Sequence, residues 1–135
     1  MEQKKYLRVR YVETDAQGIV HHATYPVWFE EGRSDFLRKI EMPYSQWEQC
    51  GYFASVVDLS IRYVKPAYYE DELQIITILE RYNKRFVEFK YKVFNEEENL
   101  LAHGHTKHLI VDTDGQPYVM NDTFFQQLKS KVSEQ

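Results

Sequence analysis

One stretch of helical period followed by four of strand period limits the fold more than any other feature of this sequence. Over Thr24 to Ile40, the residues Tyr25, Phe29, Gly32, Phe36 and Ile40 fall on one helical face, with Glu30, Glu31, Ser34, Asp35 and Arg38 on the remaining surface. Thr24 suits the N-cap, and Pro26 is tolerated in the first turn, where its missing N–H would have no intrahelical partner. Before the helix, Lys5 to Val12 alternates as a half-buried strand does, with Leu7, Val9 and Tyr11 on one face and Arg8 and Arg10 on the other. After a short turn near Ser45 to Glu48, Phe53 to Lys65 reads as a long strand with Val57, Leu59, Ile61 and Tyr63 on one face. Leu73 to Arg81 is apolar on both faces, which suits a central or interface strand. Phe86 to Phe94 sets Val87, Phe89, Tyr91 and Val93 against Glu88, Lys90 and Lys92, and Leu100 to Val111 forms the last strand, ended by the turn residues Asp112-Thr-Asp-Gly. A short helix is predicted over Thr123 to Lys131.

The order strand, long helix, four antiparallel strands predicts an α+β fold: a five-stranded curved antiparallel sheet wrapped around one long helix, in a single domain over residues 1–135. Gly32 in mid-helix costs about 1 kcal/mol relative to Ala, which predicts close packing there. The small face of the last strand, Ala102, Gly104 and Thr106, is the expected neighbour. One helix covers only one face of such a sheet. Part of the other face or an edge is therefore expected to pair with another subunit, in at least a dimer.

Composition removes several function classes. Seventeen basic against 21 acidic side chains give a net charge of −4, with both signs scattered, so nothing holds a nucleic-acid backbone. The apolar runs are a few residues long, against the roughly 20 needed to span a bilayer. Cys50 is the single cysteine and Met1-Glu-Gln-Lys-Lys is polar, so a cytoplasmic protein is expected. Aromatic residues make up 16% of the chain, material for a core, an interface or a ligand pocket alike.

The segment Glu13-Thr-Asp-Ala-Gln-Gly-Ile-Val-His-His joins the first strand to the helix. Asp15 lies in a loop whose Gly18 permits positive φ or close approach of a ligand, just before a helix start whose free N–H groups favour an oxyanion. A carboxylate beside such donors suits acyl transfer. The same residues also suit a turn in which Asp15 and Thr14 hydrogen-bond local backbone, and on the residues alone both readings stand. Of the five histidines, His103 and His105 share a strand face and His108 lies on the other. Zinc needs three or four ligands, which His21, His22 and Asp15 would complete only if the fold assembled them, so no metal is expected.

From Glu13 through Asp15, Gly18, Val20, His22, Tyr25, Trp28 and Glu30 to Arg33, the sequence resembles the hotdog-fold acyl-CoA thioesterases of the 4-hydroxybenzoyl-CoA thioesterase and YbgC type. The resemblance continues in Arg62-Tyr63-Val-Lys-Pro66-Ala67 through Asp71-Glu-Leu73, and in Ala102-His-Gly104 through Val111-Asp112. It implies hydrolysis of a small acyl- or aroyl-CoA, with coenzyme A part of the substrate and no other cofactor. Asp15 would be nucleophile or general base, and the backbone N–H of His22 would polarise the thioester carbonyl. Gly18, Tyr25 and Trp28 would contact the acyl group. Members of this type usually carry Tyr-His where this chain has His21-His22. Glu30 and Arg33 match as scaffold, at a spacing that permits an ion pair; a second branch of the fold places its catalytic carboxylate on the helix, where Glu30 and Glu31 stand. For CoA phosphate the expected contacts are cations near subunit boundaries, with Lys84 and Arg85 at the turn into the fourth strand preferred and Lys65 or Lys107 behind them. Acyl carrier protein thioesters are alternative substrates, and dimers pairing into tetramers are common in such enzymes. The alternatives are a hotdog hydratase using Asp15 and His21, and a non-catalytic acyl-CoA-binding module.

Overall fold

The structure, a computed structural model, describes residues 1–133. Strand β1 (Glu2–Arg8) leads through two single-turn 3-10 segments, Tyr11–Glu13 and His22–Thr24, into helix α1 (Tyr25–Lys39). Helix α2 (Tyr44–Gln49), strands β2 (Phe53–Tyr63), β3 (Glu72–Tyr82), β4 (Phe86–Asn95) and β5 (Leu100–Val111), and helix α3 (Asp122–Ser133) follow. The strands form one antiparallel sheet in the order β1-β3-β4-β5-β2. This is the sheet around a long helix that the order of periods predicts.

Helix α1 lies on the inner face, burying Tyr25, Trp28, Phe29, Gly32, Phe36 and Leu37. The Phe29 ring stacks on Tyr91 of β4 at 4.2 Å and 5°. A second aromatic group, Trp47, Tyr52 and Phe124, joins α2 and α3 at the far end of the core. Each such ring contributes about 1.5–3 kcal/mol by leaving water.

Four expectations change. Pairing in β1 stops at Arg8, where its partner β3 begins at Glu72. Alternation alone carries the strand on to Val12, but the chain then turns at Arg10, whose N–H donates to the Glu13 carboxylate at 2.8 Å, and Tyr11 is left exposed. In β2 the register shifts between Val56 and Asp58, so Val57 is the bulged residue and Val56, opposite His108, precedes Leu59, Ile61 and Tyr63 on the inner face.

Gly32 does approach the sheet closely, but against β3: a Cβ there would stand 2.3 Å from the Thr77 hydroxyl. The small face of β5 instead receives Phe29, and a Cβ on Gly104 would lie 2.6 Å from both that ring and the Ser60 carbonyl. Thr24 has helical φ and ψ, and its side chain makes no capping bond. His21 takes that role through Nδ1, which accepts from the Ala23 N–H at 3.1 Å. The cap moves because a 3-10 turn precedes the α-helix.

Candidate active site

The segment between β1 and α1 is built as a small ribbon at one end of the sheet. Thr14 pairs with Val20, and Ile19 pairs with Tyr68 in the β2–β3 connection. Asp15 N–H donates to Ile19 O at 2.8 Å, Gly18 N–H to Asp15 O at 3.0 Å, and Val20 N–H to Ala67 O at 2.9 Å. Gly18 has φ +79°, the left-handed conformation that a tight turn requires here.

Two carboxylates in this segment have different surroundings. Glu13 is buried and accepts from Trp28 Nε1 at 3.0 Å, from Arg10 N–H at 2.8 Å and from the Arg10 guanidinium at 3.3 Å. Asp15 is exposed; its Oδ1 accepts from the N–H groups of Gln17 at 2.8 Å and Ile19 at 3.3 Å, while Oδ2 has no hydrogen bond among the described residues. The turn reading and the reagent reading are thus compatible. One oxygen holds the loop and the other faces outward.

Beyond the loop, the N–H of His22 opens the turn into α1 and donates to no protein group among the described residues, since the His21 ring takes the next N–H along. The His22 carbonyl accepts from the Tyr63 hydroxyl at 2.6 Å, which ties the start of the helix to the end of β2. The His21 and His22 rings stack at 4.3 Å. Neither bonds Asp15.

Beside this point is a shallow, mostly apolar cleft of about 290 Å³, lined by Ile19, Val20, Tyr25, Tyr63, Val64 and Pro66, with His22 and Lys65 at its margin. Burial first, and then the neighbouring Tyr63, push the Tyr25 hydroxyl up to about 12, so it is neutral at any physiological pH. The Tyr25 ring stands edge-on to Tyr63 at 5.0 Å and to Trp28 at 4.8 Å. Trp28 itself, expected against the acyl group, is 1% exposed, and its indole points to Glu13. Its place is behind the loop.

The matched helix residues also differ from expectation. Glu30 and Arg33 form no ion pair among the described residues; Arg33 Nη1 instead donates to the Tyr91 hydroxyl at 3.2 Å. The Tyr91 hydroxyl meets Thr106 Oγ1 at 2.5 Å, which in turn meets His108 Nε2 at 2.9 Å. This interior polar chain adjoins a cavity of about 230 Å³ between α1, α2 and the sheet, lined by Arg33, Leu37, Tyr44, Trp47, Phe89 and His108. Burial, with Arg33 second, lowers His108 to about 4 against a weaker opposing effect of its bond to the Ala54 backbone. The cavity is better enclosed than the Asp15 cleft but is not lined by the Asp15 loop. Strand alternation already turned Thr106 and His108 inward; the missed signal was two polar side chains on a core face.

Lys84 and Arg85 occupy the β3–β4 hairpin, at the opposite end of β3 from the Asp15 ribbon. An 11-residue strand separates the two ends, about 30 Å. Lys84 is also paired with Asp122 at the start of α3, and its main-chain carbonyl accepts from Met120. Within one protomer the fold does not bring this pair to Asp15. Among the described residues no group of three or more His, Cys, Asp or Glu side chains is placed to hold a metal ion, and no helix is long and apolar enough to cross a membrane.

Residues 17–102, most of the site and sheet, match the family described as the thioesterase superfamily. The chain belongs to the thioesterase superfamily. Among curated relatives, YneP of Bacillus subtilis is 37% identical over 111 residues, covering 82% of this chain and 80% of that one. The acyl-CoA thioester hydrolase YbgC of Escherichia coli is 31% identical over 107 residues, 78% of this chain and 79% of its own. The crystal structure of a DHNA-CoA thioesterase from Staphylococcus aureus superposes with a TM-score of 0.90 at 29% identity, covering 98% of this chain and 89% of that one. This thioesterase-family chain therefore has the hotdog fold, with its helix start and Asp15 loop inside or next to the matched region.

Proposed function

We propose that the protein hydrolyses the thioester of a small acyl- or aroyl-CoA, with Asp15 as the reacting carboxylate. The observation that carries this reading is that one short segment holds an exposed Asp15 whose Oδ2 makes no hydrogen bond and, at the helix start, a His22 N–H that donates to no protein group among the described residues. The carbonyl oxygen accepts from that N–H, where the helix end favours developing negative charge. Asp15 either attacks the carbonyl carbon, giving a mixed anhydride that water then cleaves to the free acid, or takes a proton from an attacking water; in both routes the C–S bond breaks and CoA leaves, its sulfur taking up the proton that water loses. The apolar cleft beside Tyr25 and Tyr63 seats the first carbons of the acyl group; Gly18 holds the loop's turn; Trp28 acts through Glu13 as a positioning residue.

The hydratase reading needs an acid and a histidine working together. His21 caps Ala23 through Nδ1, stacks on His22 and makes no bond to Asp15, which favours the thioesterase reading. A homo-oligomer completes the molecule: β2 is an edge strand exposing Val56, Val57 and Leu59, a surface suited to a second copy. Light scattering reads the oligomeric state.

The deciding assay is release of free thiol from aliphatic and aromatic acyl-CoAs and the matching acyl carrier protein thioesters. Wild type is expected to turn over at least one of them, and Asp15→Ala to lose about a hundredfold or more in kcat. Equal rates in the two proteins would remove Asp15 from the chemistry. A protein that binds CoA and hydrolyses nothing would be the non-catalytic module.

A further inference from the structure

The turn that presents the His22 N–H is held by main-chain and side-chain bonds, of which one can be switched off by a proton. His21 is extended, at φ −62° and ψ 137°, ahead of the 3-10 turn His22–Thr24. Its N–H donates to Glu13 O at 2.8 Å, and its carbonyl accepts from the Thr24 N–H at 2.9 Å. Its ring Nδ1 accepts from the Ala23 N–H at 3.1 Å, and the Tyr63 hydroxyl donates to the His22 carbonyl at 2.6 Å. The His21 carbonyl and the His22 N–H belong to one planar peptide and leave it in opposite directions, so whatever fixes that plane also aims the donor. Main-chain groups and the Tyr63 hydroxyl, which burial pushes up, keep their protons through the neutral range. An imidazole does not. A ring nitrogen that accepts carries no hydrogen, so the capping ring is neutral, with its hydrogen on Nε2. A second proton goes on Nδ1, where it meets the Ala23 N–H donor to donor, and the cap is lost. The added charge acts in the same direction, because a cation opposes the positive end of α1.

We propose that His21 is a positioning residue: its neutral ring, by capping Ala23, aims the His22 N–H at the thioester oxygen, and protonation of the ring releases that aim, so turnover falls as pH drops through the ring's titration. The inference rests on the thioesterase reading above, in which the His22 N–H binds that oxygen. The surroundings leave the ring free to act in this way. His21 is exposed, so protons reach it from solvent. Among the described residues the ion-pair contacts of histidine are those of His105 alone, so no carboxylate holds the His21 ring or the His22 ring stacked on it at 4.3 Å. Of the other titratable groups around the turn, the Glu13 carboxylate is bonded to Trp28 and Arg10, and Asp15 Oδ1 to Gln17 and Ile19. On the side of α1 and β2 stand the neutral Tyr25 and Tyr63 hydroxyls, with Lys65 beside His22 at the margin of the cleft. None of these replaces Nδ1 as the acceptor for Ala23.

The test compares the full chain with His21→Asn, whose amide oxygen stands where Nδ1 does and takes no proton, and with His21→Ala, which offers no acceptor. Thermal unfolding confirms that both variants are folded. With the best acyl-CoA of the panel at about pH 8, where the ring is neutral, His21→Ala is expected to lose about tenfold in kcat with KM within about twofold, because the demand on the donor grows in the transition state. His21→Asn restores kcat to within about twofold of wild type. As the pH is lowered, wild-type kcat falls with the midpoint at which the His21 ring titrates by NMR, and His21→Asn keeps its rate through that range; any fall due to Asp15 is common to both. A cap that is merely structural would lower the stability of His21→Ala and leave its kcat at the wild-type value, and that result overturns the proposal. So does an acidic limb that His21→Asn retains in full. The Ala23 amide resonance reads the cap without turnover, and in wild type it is expected to shift together with the His21 ring. A wild type that hydrolyses nothing while Ala23 follows the ring would refute the thioesterase reading and keep the switch in the turn; an Ala23 amide indifferent to the ring would remove the switch itself.

Discussion

Glu13 and Asp15 stand two residues apart on the same ribbon, one 7% exposed beneath three hydrogen-bond contacts, the other in solvent with one oxygen unused. A saturated buried carboxylate has no lone pair within reach of a substrate and every reason to stay where it is. A carboxylate held by one oxygen is both aimed and available. On the proposed reading the difference separates scaffold from reagent inside a single motif, and it extends along the helix: Trp28 and Arg33 turn inward to Glu13 and Tyr91, while the His22 N–H has no protein acceptor among the described residues.

Removing the scaffold acid is expected to cost stability first. Glu13→Ala strands the buried Trp28 indole, an unpaired donor that costs about 1–3 kcal/mol, and removes the partner of the Arg10 N–H, which lies nearer solvent. Urea unfolding should show a loss of about 2 kcal/mol, with the folded fraction still cleaving thioester. A loss of all turnover at full stability would reverse the roles of the two acids.

The interior chain gives the next effect, of similar or smaller size. Folded His108 stays neutral down to about 4, whereas in the unfolded chain it takes a proton near its ordinary value of 6.5. Between those limits the unfolded state binds more protons, so stability is complete above about pH 6.5 and falls as pH drops toward 4, by roughly 3 kcal/mol in all. Unfolding measured at pH 7 and pH 4.5 should show this slope, and His108→Gln should flatten it. An identical slope in the variant would place the acid sensitivity elsewhere.

The smallest effects concern the helix start. His21→Ala should cost about 1 kcal/mol as a lost cap, and Thr24→Ala less than about 0.5 kcal/mol, because Thr24 makes no capping bond. The reverse ranking in thermal melts would restore Thr24 as the cap.

Much of this was legible in the sequence where one force dominated. Clean alternation located β4 to within a residue, and the bounds of β5, Leu100–Val111, agree at both ends. Asp15, Gly18 and the helix start were readable as a candidate site because their chemistry is local. What failed depended on partners. The pattern from Lys5 to Val12 does not reveal that β3 begins at Glu72 and that beyond Arg8 only Val9 still bonds, to Glu70 and Asp71, before the chain turns. Gly32 announces a close approach without naming Thr77, and i,i+3 spacing permits a Glu30–Arg33 pair that the buried Tyr91 hydroxyl outcompetes. Lys84 with Arg85 is basic as text, and only the length of β3 puts the pair at the hairpin far from Asp15.

The most direct test is Asp15→Asn, which keeps an oxygen to accept the Gln17 and Ile19 N–H groups and removes the charge. With the fold and CoA affinity unchanged, thiol release from the best acyl-CoA should fall about a hundredfold or more in kcat. A folded Asp15→Asn protein that hydrolyses this thioester at the wild-type rate would contradict the account.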